Sequence, residues 1–296
     1  MQHLPINIIV TGAGGQLGQA LQKAAPAHAG LQFHFFGSAE TDITNKESID
    51  AVFKAIKPQY CINTAAYTAV DKAESEPEKA YDINVTGAKN LAEACNDYNA
   101  TLIHISTDFV FNGEGKKPYT EEDEPNPTSV YGKTKLEGEK AIAQVCYQYY
   151  IIRTAWVYSE FANNFMKTML RLAADRTSLS VVNDQEGTPT NANDLAEALL
   201  HIIEHDNKAY GIYHYSNEGE TTWYGFAAGI FELNNVLINL QPIPSADYPT
   251  PAKRPAYSVL DKSKIKQTFG LFVPDWVSSL KKCSENAKHS HNNTVL

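Results

Sequence analysis

The sequence predicts an α/β fold in which a parallel sheet is wound on both faces by helices. Three observations carry the prediction. Short apolar runs alternate with helical patterns, the runs are almost unbroken in apolar residues, and the first leads through a glycine cluster into a helix. Strands covered by helices on both sides read this way because neither face meets water.

The elements follow in order. Residues 6–10 form the first strand, and residues 17–25 the helix after it. Strands at 33–36, 60–64, 102–106 and 149–154 alternate with helices at 49–56, 88–98 and 136–146. Beyond Val157 the pattern loosens into a helix at 165–174, a strand at 179–182, a helix at 194–204 and a strand at 211–216. A proline-rich stretch, 241–255, comes next, and no internal repeat is present. The expected organisation is a dinucleotide-binding domain over 1–157 with roughly 188–222. A smaller, interleaved carboxyl-terminal domain for the substrate takes roughly 158–187 and 223–285. Residues 286–296, polar and carrying His289 and His291, are expected to be a disordered tail rather than a metal site.

Between the first strand and its helix lies Thr11-Gly12-Ala13-Gly14-Gly15-Gln16-Leu17-Gly18. Glycines at 12, 15 and 18 permit a tight turn, close approach of a pyrophosphate, and close packing of helix on strand. The helix start adds N–H donors and a favourable dipole. A Rossmann-type doubly wound sheet binding a dinucleotide is therefore expected.

Bulk composition narrows the partners. The chain has 296 residues, 43% hydrophobic and 20% charged, enough for one large or two modest domains. Its formal net charge of −9 argues against nucleic acid or an anionic membrane as partner. Cys61, Cys95, Cys146 and Cys283 are far apart and form no C-x-x-C, so neither a metal site nor a disulfide framework is indicated and a reducing cytoplasm fits. No apolar run approaches about 18 residues, and the first strand is too short for a signal segment, which predicts a soluble, untargeted protein.

Tyr131 and Lys135 put a phenol and an ammonium one turn apart on a predicted helix. A free phenol, with a pKa of about 10, is a poor acid near neutrality, and a neighbouring cation lowers it. General acid–base work needs such a shift. The bland alternative is a tyrosine on the apolar face beside a solvated lysine.

The glycine spacing together with Tyr-x-x-x-Lys resembles the extended short-chain dehydrogenase/reductase superfamily. Four further segments are 63–74 (NTAAYTAVDKAE), 106–111 (STDFVF), 153–158 (RTAWVY) and 248–255 (YPTPAKRP). Together they resemble the dTDP-4-dehydrorhamnose reductases, from residue 6 to about 280. The resemblance implies a reaction in which a nicotinamide cofactor reduces the C4 ketone of a nucleotide sugar, with Tyr131 as proton donor. Thr107 would share the reacting oxygen, and Lys135 would lower the tyrosine pKa and hold the nicotinamide ribose. It places Gly15, Gln16 and Leu17 under the pyrophosphate, Asp42 and Ile43 beside the adenine, and Ala65, Ala66, Tyr67 and Thr68 toward the nicotinamide half. Thr107, Asp108 and Trp156 would face the sugar. Taken alone, Trp156 reads as a core residue after a strand.

Arg254 is the candidate for the nucleotide diphosphate, against an exposed loop arginine. Asn163 and Asn164 could cap the following helix or offer amides to the same diphosphate. At the end of the second strand, Phe35-Phe36-Gly37-Ser38-Ala39-Glu40 has no acid to bond a ribose hydroxyl and no arginine to grip a 2′-phosphate. NADPH and NADH both stay open, with a slight lean to NADPH. The run Glu121-Glu122-Asp123-Glu124 reads as a solvated loop whose carboxylates could join a metal at a subunit contact, since some relatives are linked with magnesium. A homodimer is the oligomer considered.

Three other activities use the same fold. A 4,6-dehydratase would carry glutamate after Thr-Asp, whereas Phe109 stands here. A 4-epimerase needs only the Tyr–Lys pair. A dinucleotide-binding regulatory subunit like that of methionine adenosyltransferase would not need Thr107, Tyr131 and Lys135 together.

Overall fold

The computed structural model describes residues 5–292, with side chains through 288. Six parallel strands build the central sheet: β1 (Ile6–Thr11), β2 (Leu31–Phe36), β3 (Tyr60–Asn63), β4 (Thr101–Thr107), β5 (Tyr149–Thr154) and β6 (Gly211–His214). Their order is β6-β5-β4-β3-β1-β2. The chain therefore steps to one side of β1 for β2 and to the other for β3. That reversal opens a crevice beyond the strand ends, the usual ligand site of such sheets.

Alternation along β1 shows why both faces must be covered. Ile8 and Val10 point to one side, where α1 (Gln16–Ala24) and α5 (Ala192–His205) pack through Leu17, Leu21, Leu195 and Leu199. Ile9 points to the other, against α2 (Lys46–Ile56), α3 (Ala88–Asp97) and α4 (Val130–Val145) through Ile49, Phe53, Leu91 and Ile142. Local signals set the helix ends. Asn45 caps α2 by accepting from the N–H groups of Glu47 and Ser48 at 2.9 and 3.3 Å.

A further apolar cluster, away from the sheet, holds Tyr158, Met166, Leu179, Val181, Phe226, Ile230 and Leu280. It is assembled from helices Phe165–Asp175, Trp223–Leu233 and Trp276–Asn292 and the parallel pair Ser178–Val182 with Asn239–Ile243. Part of the proline-rich stretch is thus a strand. Its Pro242 stands opposite Val181 in a two-stranded sheet, where a missing N–H is tolerated. The expected tail needs correcting: residues 286–292 continue the last helix, while 293–296 and the side chains of His289 and His291 lie outside the described residues. Among the described residues no helix is long and apolar enough to cross a membrane, and all four cysteines are buried and unpaired.

Candidate active site

The glycine loop sits at the strand-order reversal. Gly12 has φ +72°, and a Cβ there would lie 2.6 Å from the Ala65 backbone nitrogen. A Cβ on Gly18 would lie 2.6 Å from the Gly12 carbonyl oxygen. Only glycine fits at either place. Gly14 and Gly15 are exposed, and the first turn of α1 carries no acidic residue and no side-chain cap to compete for its N–H groups and dipole. This cradle fits a dinucleotide pyrophosphate.

The side chains of Gln16 and Leu17 do not join it. Gln16 donates to the Val157 carbonyl at 3.1 Å and accepts from Ser159 and Asn164 at 2.9 and 3.0 Å. Leu17 is buried in the core. Their backbones alone are left for a phosphate.

At the adenine end, one expectation is overturned. A carboxylate does reach the end of β2, because Glu40 folds back and accepts from the Gly37 N–H at 2.5 Å. The Ala13 N–H bonds the Phe36 carbonyl at 3.1 Å, which holds this corner against the glycine loop. Exposed Asp42 accepts from the Thr44 N–H and hydroxyl at 2.9 and 2.8 Å. Ile43 is only 5% exposed, so its side chain is core. After β3, Ala65 and Ala66 are half-buried and Thr68 is exposed. Tyr67 is buried, with its hydroxyl donating to Glu76 at 2.8 Å.

Tyr131 and Lys135 both lie on α4, which starts at Ser129; that hydroxyl accepts from the Gly132 N–H at 3.1 Å. The Tyr131 ring is half-buried, edge-on to Phe109 at 5.5 Å, and packed with Tyr67 and Ala73. Thr107, buried at the end of β4, hydrogen-bonds the phenol. Its hydroxyl also donates to Asp108 Oδ1 at 2.9 Å. Loss of hydration pushes the phenol up to about 12; the Thr107 contact opposes that rise and the Asp108 charge adds to it. The expected lowering of this pKa by Lys135 is therefore absent.

Lys135 is buried, with Nζ donating to the Ile105 carbonyl at 2.6 Å and facing His104 Nε2 at 3.2 Å. Burial pulls its ammonium down to about 8 despite Glu139 nearby. Asp108 Oδ2 is buried without a partner of good hydrogen-bond geometry. Burial raises that carboxyl to about 6, although Ser258 and Thr107 favour its charged form.

On the substrate side, Trp156 has φ +48° and stacks on Trp223, ring centroids 3.6 Å apart. A Cβ on Gly187 would lie 2.6 Å from the indole, so glycine lets it lie flat there. Asn164 caps helix Phe165–Asp175, accepting from the Lys167 N–H at 3.1 Å, whereas Asn163 is exposed and outside this cluster. Arg254 is not a free fork. It makes a two-pronged ion pair with Asp71 at 3.0 and 2.8 Å, which holds that carboxyl below its usual range. Arg254 borders a cavity of about 430 Å³ lined also by Asp184, Tyr248 and Thr250.

In the acidic run, Glu121 accepts from the His214 N–H and Asp123 from Thr120. Among the described residues no group of three or more His, Cys, Asp or Glu side chains could hold a metal.

Tyr131, Lys135, Thr107 and Asp108 are thus brought together beside the glycine cradle, and Arg254 joins the same side through Asp71, two residues from Ala73. Sequence reading missed Asn63, His104, Asp71 and Trp223. None sits in a catalytic motif of its own, although His104 lies three residues before Thr107 on the same strand.

A doubly wound sheet with this glycine turn and a Thr–Tyr–Lys group defines an extended short-chain dehydrogenase/reductase. The family model described as RmlD substrate binding domain matches residues 6–289. The dTDP-4-dehydrorhamnose reductase of Aggregatibacter actinomycetemcomitans is 44% identical over 286 residues, covering 93% of this chain and 97% of the relative. That of Escherichia coli K12 is 43% identical over 288 residues, covering 94% and 96%. A crystal structure of dTDP-4-dehydrorhamnose reductase from Bacillus anthracis, in complex with NADP, superposes with a TM-score of 0.92 at 37% identity, covering 96% of this chain and all of that one. The chain belongs to the RmlD substrate binding domain family.

Proposed function

We propose that this protein reduces the C4 ketone of dTDP-4-dehydro-L-rhamnose to give dTDP-L-rhamnose, using NADH or NADPH. The observation that carries the reading is the placement of the Tyr131 phenol beside Thr107 and one turn from Lys135, next to a phosphate cradle. The names of the relatives supply the substrate.

The bound nicotinamide supplies hydride; the protein's part is to bind, orient and move a proton. Tyr131 donates its proton to the ketone oxygen as negative charge develops there. Thr107 hydroxyl turns from Asp108 to donate to the same oxygen, and two donors aimed there lower the barrier. Lys135 bonds the nicotinamide ribose. Asp108 and the Trp156–Trp223 stack border the sugar, and the Asp71–Arg254 pair opens to let the guanidinium take the diphosphate. Glu40 adds a carboxylate near the end of β2, and the choice between NADPH and NADH stays open, with the slight lean to NADPH. The reaction takes place in the cytoplasm, where the cysteines stay reduced.

The test is loss of NADH or NADPH absorbance with dTDP-4-dehydro-L-rhamnose, with the product identified by mass and stereochemistry. Tight dinucleotide binding without oxidation would sink the reading. Tyr131→Phe should keep cofactor affinity and lower kcat by about 10²–10⁴-fold; a parent-like rate would remove Tyr131 from the mechanism.

A further inference from the structure

Helix α4 carries Tyr131 in its first turn, so whatever fixes that turn also fixes the phenol. The amide groups at a helix start have no partner within the helix, and the first turn of α4 has no acidic residue of its own to meet them. Two of those amides are taken by side chains. Ser129 accepts from the Gly132 N–H at 3.1 Å, and Glu74, 56 residues before Val130 in the chain, accepts from the Val130 N–H at 2.8 Å. Nothing in the proposed reaction uses Glu74.

Glu74 ends the short helix Val70–Ala73, a turn pinned along its length. Near its start Asp71 makes the two-pronged pair with Arg254 at 3.0 and 2.8 Å. Ala73, 0% exposed, packs in one cluster with Tyr67, Ala80, Val130 and Tyr131. The turn therefore lies between the guanidinium proposed for the diphosphate and the helix start that carries the phenol. We propose that Glu74 is a positioning residue: its carboxylate holds the Val130 N–H and so sets where the first turn of α4 presents Tyr131 to the ketone. It acts through the backbone. The proton affinity of the phenol follows from burial, Thr107 and Asp108, so Glu74 places the ring and leaves its proton alone.

This role rests on the proposed reaction, in which the phenol must reach the oxygen that gains charge. Proton transfer needs a heavy-atom distance of about 2.6–3.2 Å, and a misplacement of about 1 Å can cost about 10²-fold in rate. A carboxylate on a helix-terminal N–H makes a charge-assisted bond at the positive end of the dipole. A side-chain amide oxygen can take the same place without the charge. Loss of the acceptor and loss of the charge are thus separable by substitution.

Steady-state rates and amide exchange on the full-length protein test this. Glu74→Ala should lower kcat by about 10- to 100-fold, with KM for cofactor and ketone within about twofold of the parent's and the pH profile unmoved. Glu74→Gln, which keeps an acceptor for the Val130 N–H, should recover most of that loss. A parent-like kcat in Glu74→Ala, or a Glu74→Gln enzyme as slow as Glu74→Ala, overturns the proposal. A displaced pH profile in Glu74→Gln overturns it too, because the effect would then belong to charge. In the protein without ligands, exchange of the Val130 amide, followed in ¹H–¹⁵N spectra, should quicken about tenfold or more in Glu74→Ala and stay near the parent rate in Glu74→Gln. An unchanged rate in Glu74→Ala overturns the proposal whatever the substrate. A parent that fails to oxidise cofactor with the ketone, while Glu74→Ala still quickens exchange, would sink the substrate and support the anchor. If Glu74→Ala does not fold, Glu74→Asp, one methylene short of the N–H, takes its place with the same expectations.

Discussion

At the residue scale, two carboxyl groups stand out, Asp108 for its burial and Glu40 for its position. Asp108 is 2% exposed and its carboxyl is raised to about 6 from 3.8. The folded protein then holds this proton more tightly than the unfolded chain does. Stability contributed by the protonated form is present below about pH 4 and is lost as pH rises through about 6. Asp108→Asn should accordingly melt at a higher temperature than the parent at pH 7, with the difference vanishing below about pH 4; calorimetry across that window checks it. Glu40 matters for its position. Its carboxylate at the end of β2 stands where a 2′-phosphate would add like charge. Glu40→Gln should lower the KM for NADPH relative to NADH by about tenfold, equivalent to ~1.4 kcal/mol, measured by initial rates with each cofactor. The sequence lists Glu40 three residues past Gly37 and gives no sign that its side chain folds back.

At the scale of elements, α4 decides the chemistry. Tyr131 and Lys135 share a face because the segment is helical, and that much was readable from spacing. The helix lies close to its neighbours because Gly132 and Gly138 carry no side chain: added Cβ atoms would collide with the carbonyl oxygens of Phe109 and Asn84. Glycine inside a helix is ordinarily worth replacing, since alanine gains about 1 kcal/mol in propensity. Here Gly132→Ala should instead destabilise the protein and lower kcat, by pushing α4 and its phenol away from Thr107. Denaturant unfolding and steady-state rates measure both effects. The Asp82–Gly87 segment opposite Gly138 has the wide π-helical turn, and its Asn84 bonds the Tyr67 backbone and Thr134. No periodicity rule finds such a turn, because it follows from what packs against it.

At the scale of the whole molecule, the α1 face of the sheet is tied to the segment leading into the Tyr158 cluster at the loop that would hold the cofactor. Gln16 bonds Val157, Ser159 and Asn164, and Glu160 accepts from Lys23 at 2.7 Å and Asn193 at 2.8 Å. The start of α1 therefore serves as a joint as well as a phosphate cradle. Gln16→Ala should cost roughly 2 kcal/mol of stability for its lost hydrogen bonds. It should also weaken dinucleotide and sugar binding together, which calorimetric titration of each ligand would show. A loss confined to the dinucleotide would mean that the joint does not couple the two sides.

Periodicity and turn chemistry in the sequence determined the winding of the sheet, the glycine loop and the helical pairing of Tyr131 with Lys135, because these depend on neighbours within a few residues. The boundaries of β5 and the approximate position of α5 were legible for the same reason. Tertiary structure alone decided the rest. It closed Arg254 on Asp71, turned Gln16 outward from the cradle, brought Glu40 to β2 and stacked Trp156 on Trp223. It also set the proton affinities of Tyr131 and Lys135, reversing the expected shift of the phenol. Those outcomes depend on burial and on partners 3 to 183 residues away in sequence, and desolvation has no signature in local spacing.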